Sequence, residues 1–201
     1  MKGILITIEG IDGVGKTTQT RLLAEYLTDQ GYEVIQLREP TNGYWGKKIK
    51  NLTKHGRTAS PKEECLWFLN DRKEDVEENI KPALEKGKIV IMDRYYYSTM
   101  AYQGALGLDV EKIQELNEQF APRPYLVIIL DAPPKTGLDR ITEGRKEELN
   151  YFETLEYQDK VREIFLSLKN QDNVRIVDAG KGLNEVHNEI RWIVQDLVDK
   201  R

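Results

Sequence analysis

The sequence EGIDGVGKTT at residues 9–18 constrains the fold of this chain more than any other segment. It fits the phosphate-binding pattern G-x-x-x-x-G-K-[ST] with Gly10, Gly15, Lys16 and Thr17. An apolar run typical of a buried strand precedes it and a helical pattern follows it, which is the context that the motif requires. The N–H groups of such a loop, with the positive end of the helix, cradle phosphates. Lys16 adds a charge for the β- and γ-phosphates, and Thr17 offers a hydroxyl to Mg²⁺.

Asp12 places a carboxylate inside this anion-binding loop. A negative charge is unfavourable there unless it meets a hydrogen-bond donor. Sugar hydroxyls are suitable donors, and a solvated loop acid without a ligand is the alternative. The local sequence favours neither interpretation over the other.

Length and composition indicate one ordered domain over residues 1–201, since 39% of the 201 residues are hydrophobic and 32% charged. The net charge of −4 disfavours a nucleic-acid polymer as partner. No apolar stretch approaches membrane-spanning length, and the N-terminus does not resemble a signal peptide. The single cysteine, Cys65, excludes an intrachain disulfide and, with two histidines, disfavours a Cys or His metal site. We therefore expect a cytoplasmic protein that binds no membrane.

Strand and helix patterns alternate along the chain, which predicts an α/β fold with a five-stranded parallel sheet and helices on both faces. Ligands of such sheets bind at the carboxyl ends of the strands. The predicted strands are Ile4–Glu9, Glu33–Arg38, Lys88–Asp93, Tyr125–Asp131 and Val174–Asp178. The predicted helices are Lys16–Gln30, Pro61–Glu85, Val110–Phe120, Pro134–Thr142, Thr154–Lys169 and Leu183–Val198.

The third predicted strand ends in Asp93 and Arg94. Phosphate-loop enzymes use an aspartate at such a strand end to hold Mg²⁺, directly or through water. The neighbouring arginine would reach phosphate oxygens with two parallel hydrogen bonds. A surface ion pair at the strand end is the alternative, but the phosphate loop upstream favours the metal and phosphate roles.

Three further segments carry motifs: REPT at residues 38–41, FLNDR at 68–72 with the spacing F-x-x-x-R, and DRYYYSTMAYQG at 93–104. Together with the phosphate loop and its acid, they resemble the thymidylate kinase family of nucleoside-monophosphate kinases. The segment LDAP at 130–133, Arg140 and the segment VDA at 177–179 also resemble that family. The resemblance covers nearly the whole chain and implies the phosphate-loop NTPase type of α/β fold.

The resemblance implies an enzyme that transfers the γ-phosphoryl group of ATP to dTMP, giving dTDP and ADP, with Mg²⁺ as cofactor. It also implies a homodimer. One alternative is a related kinase that acts on another nucleoside or nucleoside monophosphate. Another is a nucleotide-dependent regulatory ATPase, although the chain has no guanine-reading N-K-x-D motif.

Roles in the acceptor pocket follow from the resemblance alone. It assigns the 3′-hydroxyl of dTMP to Asp12, stacking on thymine to Phe68 and a hydrogen bond to thymine O4 to Arg72. The phosphate of dTMP is assigned to Arg38 and Arg94. The remaining implied contacts are Ser98 at the base edge, Tyr102 near the 2′ position and Gln103 in the same motif.

Roles on the ATP side are implied in the same way, with Arg140 over the adenine and Lys181 in the loop beside it. The metal ligands are expected to be Thr17 and Asp93. The expected ATP-binding residues are Gly10, Asp12, Gly13, Val14, Gly15, Lys16, Thr17, Thr18, Arg140 and Lys181.

The expected catalytic residues are Lys16, Arg94 and a cation from a lid near residues 142–153. In one form of the family an arginine in the phosphate loop supplies this cation, whereas the form with glycine at that place draws it from the lid. Gly13 holds the place here, so we expect Arg145 to act, with Lys146 as the alternative. The chain departs from the family at Tyr151, where a lid arginine is usual, and in the segment 41–46, TNGYWG.

Overall fold

The computed structural model describes residues 3–144 and 154–198. Its five strands form one parallel sheet in the order β2-β3-β1-β4-β5, which confirms the predicted fold class. The strands are β1 (Ile4–Gly10), β2 (Val34–Arg38), β3 (Ile89–Asp93), β4 (Leu126–Asp131) and β5 (Val174–Asp178). All five predicted strands are therefore present, and their bounds differ from the predicted ones by one residue at most.

Nine helices lie within the described residues. They are α1 (Lys16–Asp29), α2 (Tyr44–His55), α3 (Pro61–Asp75), α4 (Lys81–Glu85), α5 (Tyr96–Gly104), α6 (Val110–Glu118), α7 (Pro134–Gly144), α8 (Leu155–Ser167) and α9 (Leu183–Val198). A π-helical turn, Val76–Ile80, joins α3 to α4, and a 3₁₀ turn, Leu168–Asn170, follows α8. The capping box of Ser60 and Glu63 begins α3, with Pro61 at its first position.

The three central strands form the core because their side chains are apolar on both faces. Each residue of β1 and β3 is buried, whereas β2 and β5 at the edges are partly exposed. The register pairs Ile8 of β1 with Asp93 of β3, so the carboxyl ends of these strands lie side by side. The phosphate loop and the segment after Asp93 therefore leave the sheet next to each other.

Two helices, α2 and α5, were not predicted from the sequence. The segment before α2 is rich in turn residues, and α5 begins with tyrosines, which favour strands. No helix within the described residues combines the length and apolar character needed to cross a membrane.

Candidate active site

The phosphate loop curls over the carboxyl end of β1 and delivers Lys16 to its centre. Gly13 and Gly15 have φ values of 77° and 98°, a region that favours glycine. The Lys16 side chain is buried, and its Nζ donates to the carbonyl of Ile11 at 2.5 Å. Burial, helped by the charge of Arg94, lowers the pKa of Lys16 to about 7. Phosphate oxygens near Nζ would favour its charged form.

Helix α7 packs directly on the phosphate loop at a pair of glycines. A Cβ atom at Gly13 would lie 2.0 Å from the carbonyl oxygen of Gly137, and one at Gly137 would lie 2.3 Å from that of Asp12. Such distances are too short for any side chain. Gly137 precedes the predicted lid near residues 142–153 on the same helix, so the helix that leads toward the lid is in backbone contact with the loop.

The side chains of Thr17 and Asp93 meet at the ends of α1 and β3, as expected of metal ligands. Thr17 Oγ1 donates to Asp93 Oδ2 at 2.6 Å, and Arg38 Nε lies 3.6 Å from the same oxygen. The other carboxylate oxygen, Oδ1, is buried without a hydrogen-bond partner among the described residues. A hydroxyl beside an unsatisfied carboxylate oxygen fits Mg²⁺, which in phosphoryl-transfer sites takes one or two carboxylates plus waters and phosphates.

Arg94 adopts a left-handed backbone conformation, with φ of 72°, which costs a non-glycine residue about 1–3 kcal/mol. Its guanidinium forms an ion pair with Asp12, donates to Ser98 Oγ at 3.2 Å and lies against the Tyr102 ring. The structure thus brings four predicted acceptor-site residues together.

Asp12 is a partly buried carboxylate with protein donors around it. Burial by itself would raise the pKa of Asp12, but the charges of Arg94 and Lys16 outweigh it and lower the pKa below its usual range. Gln158 of α8 donates to Asp12 Oδ2 at 3.0 Å and accepts from the Asp12 N–H at 3.2 Å. The sequence-based interpretation missed Gln158, because it follows Asp12 by 146 positions and carries no local signal.

Arg72 and Phe68, which the sequence places on one side of α3, differ in depth. Arg72 is fully buried, where it pairs with Glu39 and donates to Asn117 Oδ1 at 2.6 Å and Thr99 Oγ1 at 3.1 Å. Phe68 is half-buried and lies outside the buried hydrophobic cluster. The position of Phe68 is compatible with base stacking. Two nitrogens of the Arg72 guanidinium are engaged by protein acceptors, whereas its Nε is buried without a hydrogen-bond partner among the described residues.

Gln103 is buried on α5, and its Nε2 lies 3.4 Å from the Glu64 carboxylate on α3. On the ATP side, Arg140 Nη1 donates to the carbonyl of Ala179 at 3.0 Å, which joins Arg140 to the loop that carries Lys181. Lys181 is half-exposed and pairs with Glu189 at 3.0 Å.

The segment 41–46, in which the chain departs from the family pattern, includes the first turn of α2. Its first residue is held by hydrogen bonds to α3. Asp71 accepts from the N–H of Thr41 at 2.8 Å and from its hydroxyl at 2.6 Å. Trp45 then lies against Lys48, whose Nζ is 3.9 Å from the ring centre of Trp67 on α3. The tryptophans therefore help to join α2 to α3.

The lid residues Arg145, Lys146 and Tyr151 lie outside the described residues.

Comparison with known proteins decides the family of this chain. A family model for thymidylate kinase matches residues 8–190. The chain belongs to the thymidylate kinase family. It is accordingly a phosphotransferase with thymidylate kinase activity, phosphorylating dTMP to dTDP with ATP, as the sequence predicted.

Full-length relatives agree with the family match. The chain is 45% identical over 196 residues to a probable thymidylate kinase of Archaeoglobus fulgidus, covering 98% of this chain and 97% of the relative. It is 46% identical over 196 residues to a thymidylate kinase of Desulfotalea psychrophila, covering 98% and 96% of the two chains. A thymidylate kinase of Xylella fastidiosa is 43% identical over 199 residues, which are 99% of this chain and 90% of the relative.

The different depths of Phe68 and Arg72 predict different effects of their removal. Phe68→Ala should raise the KM for dTMP and lower the free energy of unfolding by about 1 kcal/mol or less. Arg72→Ala should lower the free energy of unfolding by about 3–5 kcal/mol, because the carboxylate of Glu39 would stay buried without its cation.

Denaturant unfolding and steady-state kinetics measure both effects, and Phe165→Ala is the matched control. Phe165 is a core aromatic that is 1% exposed, so its loss should cost about 3–5 kcal/mol. If Phe68→Ala costs as much as Phe165→Ala, Phe68 is a core residue rather than a binding residue.

Proposed function

We propose that the thymidylate kinase reaction takes place at the carboxyl ends of β1 and β3, with the phosphate loop holding ATP. The observation that carries this proposal is the convergence of Lys16, Thr17, Asp93 and Arg94 at the two adjacent strand ends. Phosphoryl transfer needs positioning and charge neutralisation more than covalent chemistry. These side chains supply three charged groups and one hydroxyl in a small volume.

The loop N–H groups and Lys16 hold the β- and γ-phosphates of ATP, with Gly10, Val14 and Thr18 in the same loop segment. Thr17 and Asp93 hold Mg²⁺, which supplies charge neutralisation at the transferring phosphoryl group. Arg140 and Lys181 lie on the adenine side, and the contact of Arg140 with the carbonyl of Ala179 supports that placement.

The acceptor phosphate of dTMP is held by Arg94 and Arg38, which flank the Asp93 carboxylate. Asp12 accepts from the 3′-hydroxyl, Tyr102 crowds the 2′ position, and Phe68 stacks on the base. Ser98 contacts the base edge, Arg72 donates to thymine O4, and Gln103 lies in the same pocket. The lowered pKa of Asp12 supports its role, because an ionised carboxylate accepts from a sugar hydroxyl.

A panel of monophosphates with ATP and Mg²⁺ tests this acceptor assignment. We expect dTMP to give the highest kcat/KM, with dUMP behind it and UMP far lower, because a base-stacking ring and a crowded 2′ position favour a deoxypyrimidine. Preference for a purine monophosphate would contradict the roles proposed for Phe68 and Tyr102. ATP hydrolysis without transfer to any acceptor would favour a regulatory ATPase.

We also propose that residues 1–201 form one kinase domain with a lid near 142–153, which acts in the cytoplasm as a homodimer. Leu66 on α3 is 56% exposed and is therefore available for a contact between subunits. Light scattering at micromolar concentration is expected to give a dimer, and Leu66→Glu is expected to weaken it. A monomeric native protein would contradict the proposal.

A further inference from the structure

The turn between β3 and α5 holds Arg94 in an unfavourable backbone conformation, so something must stabilise it. Arg94 has a φ of 72°, and its N–H donates to the carbonyl of Ile8 at 3.1 Å. The next residue, Tyr95, is the N-cap of α5 but makes no capping hydrogen bond with its side chain. The cap of this helix must therefore come from another element.

Glu9, the residue before the first glycine of the phosphate loop, supplies this cap. It is fully buried on β1, where its Oε1 accepts from the N–H of Tyr95 at 2.8 Å. Its Oε2 accepts from the hydroxyl of Ser98 at 2.6 Å, one turn further along α5. Burial raises the pKa of Glu9 to about 7, so its carboxylate is charged above that pH and then interacts favourably with the positive end of the helix dipole.

Ser98 extends the contact to the guanidinium of Arg94. Its Oγ accepts from Arg94 Nη1 at 3.2 Å while it donates to Glu9. The carboxylate of Glu9 therefore fixes Arg94 twice, through the backbone of the following residue and through the side chain of Ser98.

We infer that Glu9 is a positioning residue for Arg94, which it holds in the orientation that binds the acceptor phosphate. The inference rests on the role proposed above for Arg94. The Glu9 carboxylate is fully buried and its two oxygens accept from Tyr95 and Ser98, so it acts through Arg94. Glu9 is the first residue of the phosphate-loop segment and is linked to Arg94, which holds dTMP. The sites of both substrates are therefore positioned from β1.

The experiment compares Glu9→Gln and Glu9→Ala with Thr7→Val and Arg94→Ala. Thr7 is the matched control, because it lies two residues earlier on β1 and faces the same side of the sheet. It is also fully buried, and its hydroxyl has no hydrogen-bond partner among the described residues. Each variant is measured by calorimetric titration with dTMP without ATP, by steady-state kinetics for both substrates, and by thermal unfolding.

Glu9→Gln should weaken dTMP binding by about tenfold, since the amide keeps an acceptor for Tyr95 but loses one charged hydrogen bond. Glu9→Ala should weaken it by about 100-fold, because it removes both hydrogen bonds that fix Arg94 and leaves their buried donors unpaired. The KM for ATP should change by less than about threefold in both. Thr7→Val should bind dTMP as the native protein does. Partial rescue by the amide separates positioning from simple loss of a buried group.

Coupling between Glu9 and Ser98 gives a second test. If the carboxylate acts through Ser98, the effects of Glu9→Gln and Ser98→Ala on dTMP binding should be less than additive. Fully additive effects would contradict that route.

Two results would overturn the inference. In the first, Glu9→Gln has a lower melting temperature or a smaller folded fraction, but its folded fraction binds dTMP with native affinity. Glu9 would then be a purely structural residue. In the second, KM rises equally for ATP and dTMP, which would place the action of Glu9 on the phosphate loop.

Arg94→Ala separates the inference from the proposed function. If Arg94→Ala leaves dTMP binding unchanged, the role of Arg94 is wrong; if Arg94→Ala weakens it and the Glu9 variants do not, only the inference fails.

Discussion

Lys16→Ala is expected to lower kcat by on the order of 10³-fold and to leave the protein folded. The substitution removes the positive charge that meets the transferring phosphoryl group, and a preorganised charge in a site shielded from water contributes an effect of this size. The fold should tolerate it, because the hydrogen bond from Lys16 Nζ goes to one loop carbonyl, that of Ile11. Steady-state kinetics with dTMP and a melting curve measure the two effects.

Arg21→Ala is the matched control for this experiment. Arg21 lies on the same helix, α1, and its exposed side chain pairs with Glu25. Because such pairs contribute little, the variant should have native kinetics and a melting curve close to the native one. Near-native turnover of Lys16→Ala would show that the phosphate-loop interpretation of its role is wrong.

Arg145→Ala is expected to lower kcat by about 10³–10⁵-fold with little change in the KM for dTMP. An arginine that meets the charge of the transition state contributes an effect of this size. The phosphate loop has glycine at position 13, so it supplies no arginine there, and Tyr151 carries no cation at neutral pH. The neighbouring Gly144 would let the side chain of Arg145 swing toward the reacting groups.

Lys146→Ala and Arg140→Ala are the comparison variants for the lid. Lys146→Ala should have a much smaller effect than Arg145→Ala. A nearly silent Arg145→Ala beside a severe effect of either other variant would place the catalytic cation at that other residue. Mild effects of all three would place it outside the lid, and Arg38 and Arg94 would be tested next.

The sheet could be predicted because its strands are short apolar runs that end at polar residues. Burial on both faces leaves a continuous hydrophobic signal, as in the run from Ile89 to Met92, and Asp93 marks its end. The same signal placed Thr17 and Asp93 near each other, since parallel strands bring their carboxyl ends to one edge. Local patterns were sufficient wherever a residue's neighbours followed from strand order.

Depth and long-range partners could not be predicted in the same way. Helical spacing put Phe68 and Arg72 on one side of α3, but it carries no information that Glu39 and Asn117 enclose Arg72. The contact of Gln158 with Asp12 likewise depends on how α8 packs. Each of these contacts joins elements far apart in sequence. It forms only when those elements pack together, so no local pattern indicates it.

The backbone contact between Gly13 and Gly137 restricts which residue the phosphate loop can carry at position 13. The carbonyl of Gly137 lies where a Cβ atom at position 13 would have to be. An arginine introduced there would push α7 away from the loop. A single substitution at position 13 would therefore disturb the packing of α7 on the phosphate loop. An arginine at position 13 therefore requires a shift of α7 at the same time, so the packing of two backbone segments limits the sequence of the phosphate loop.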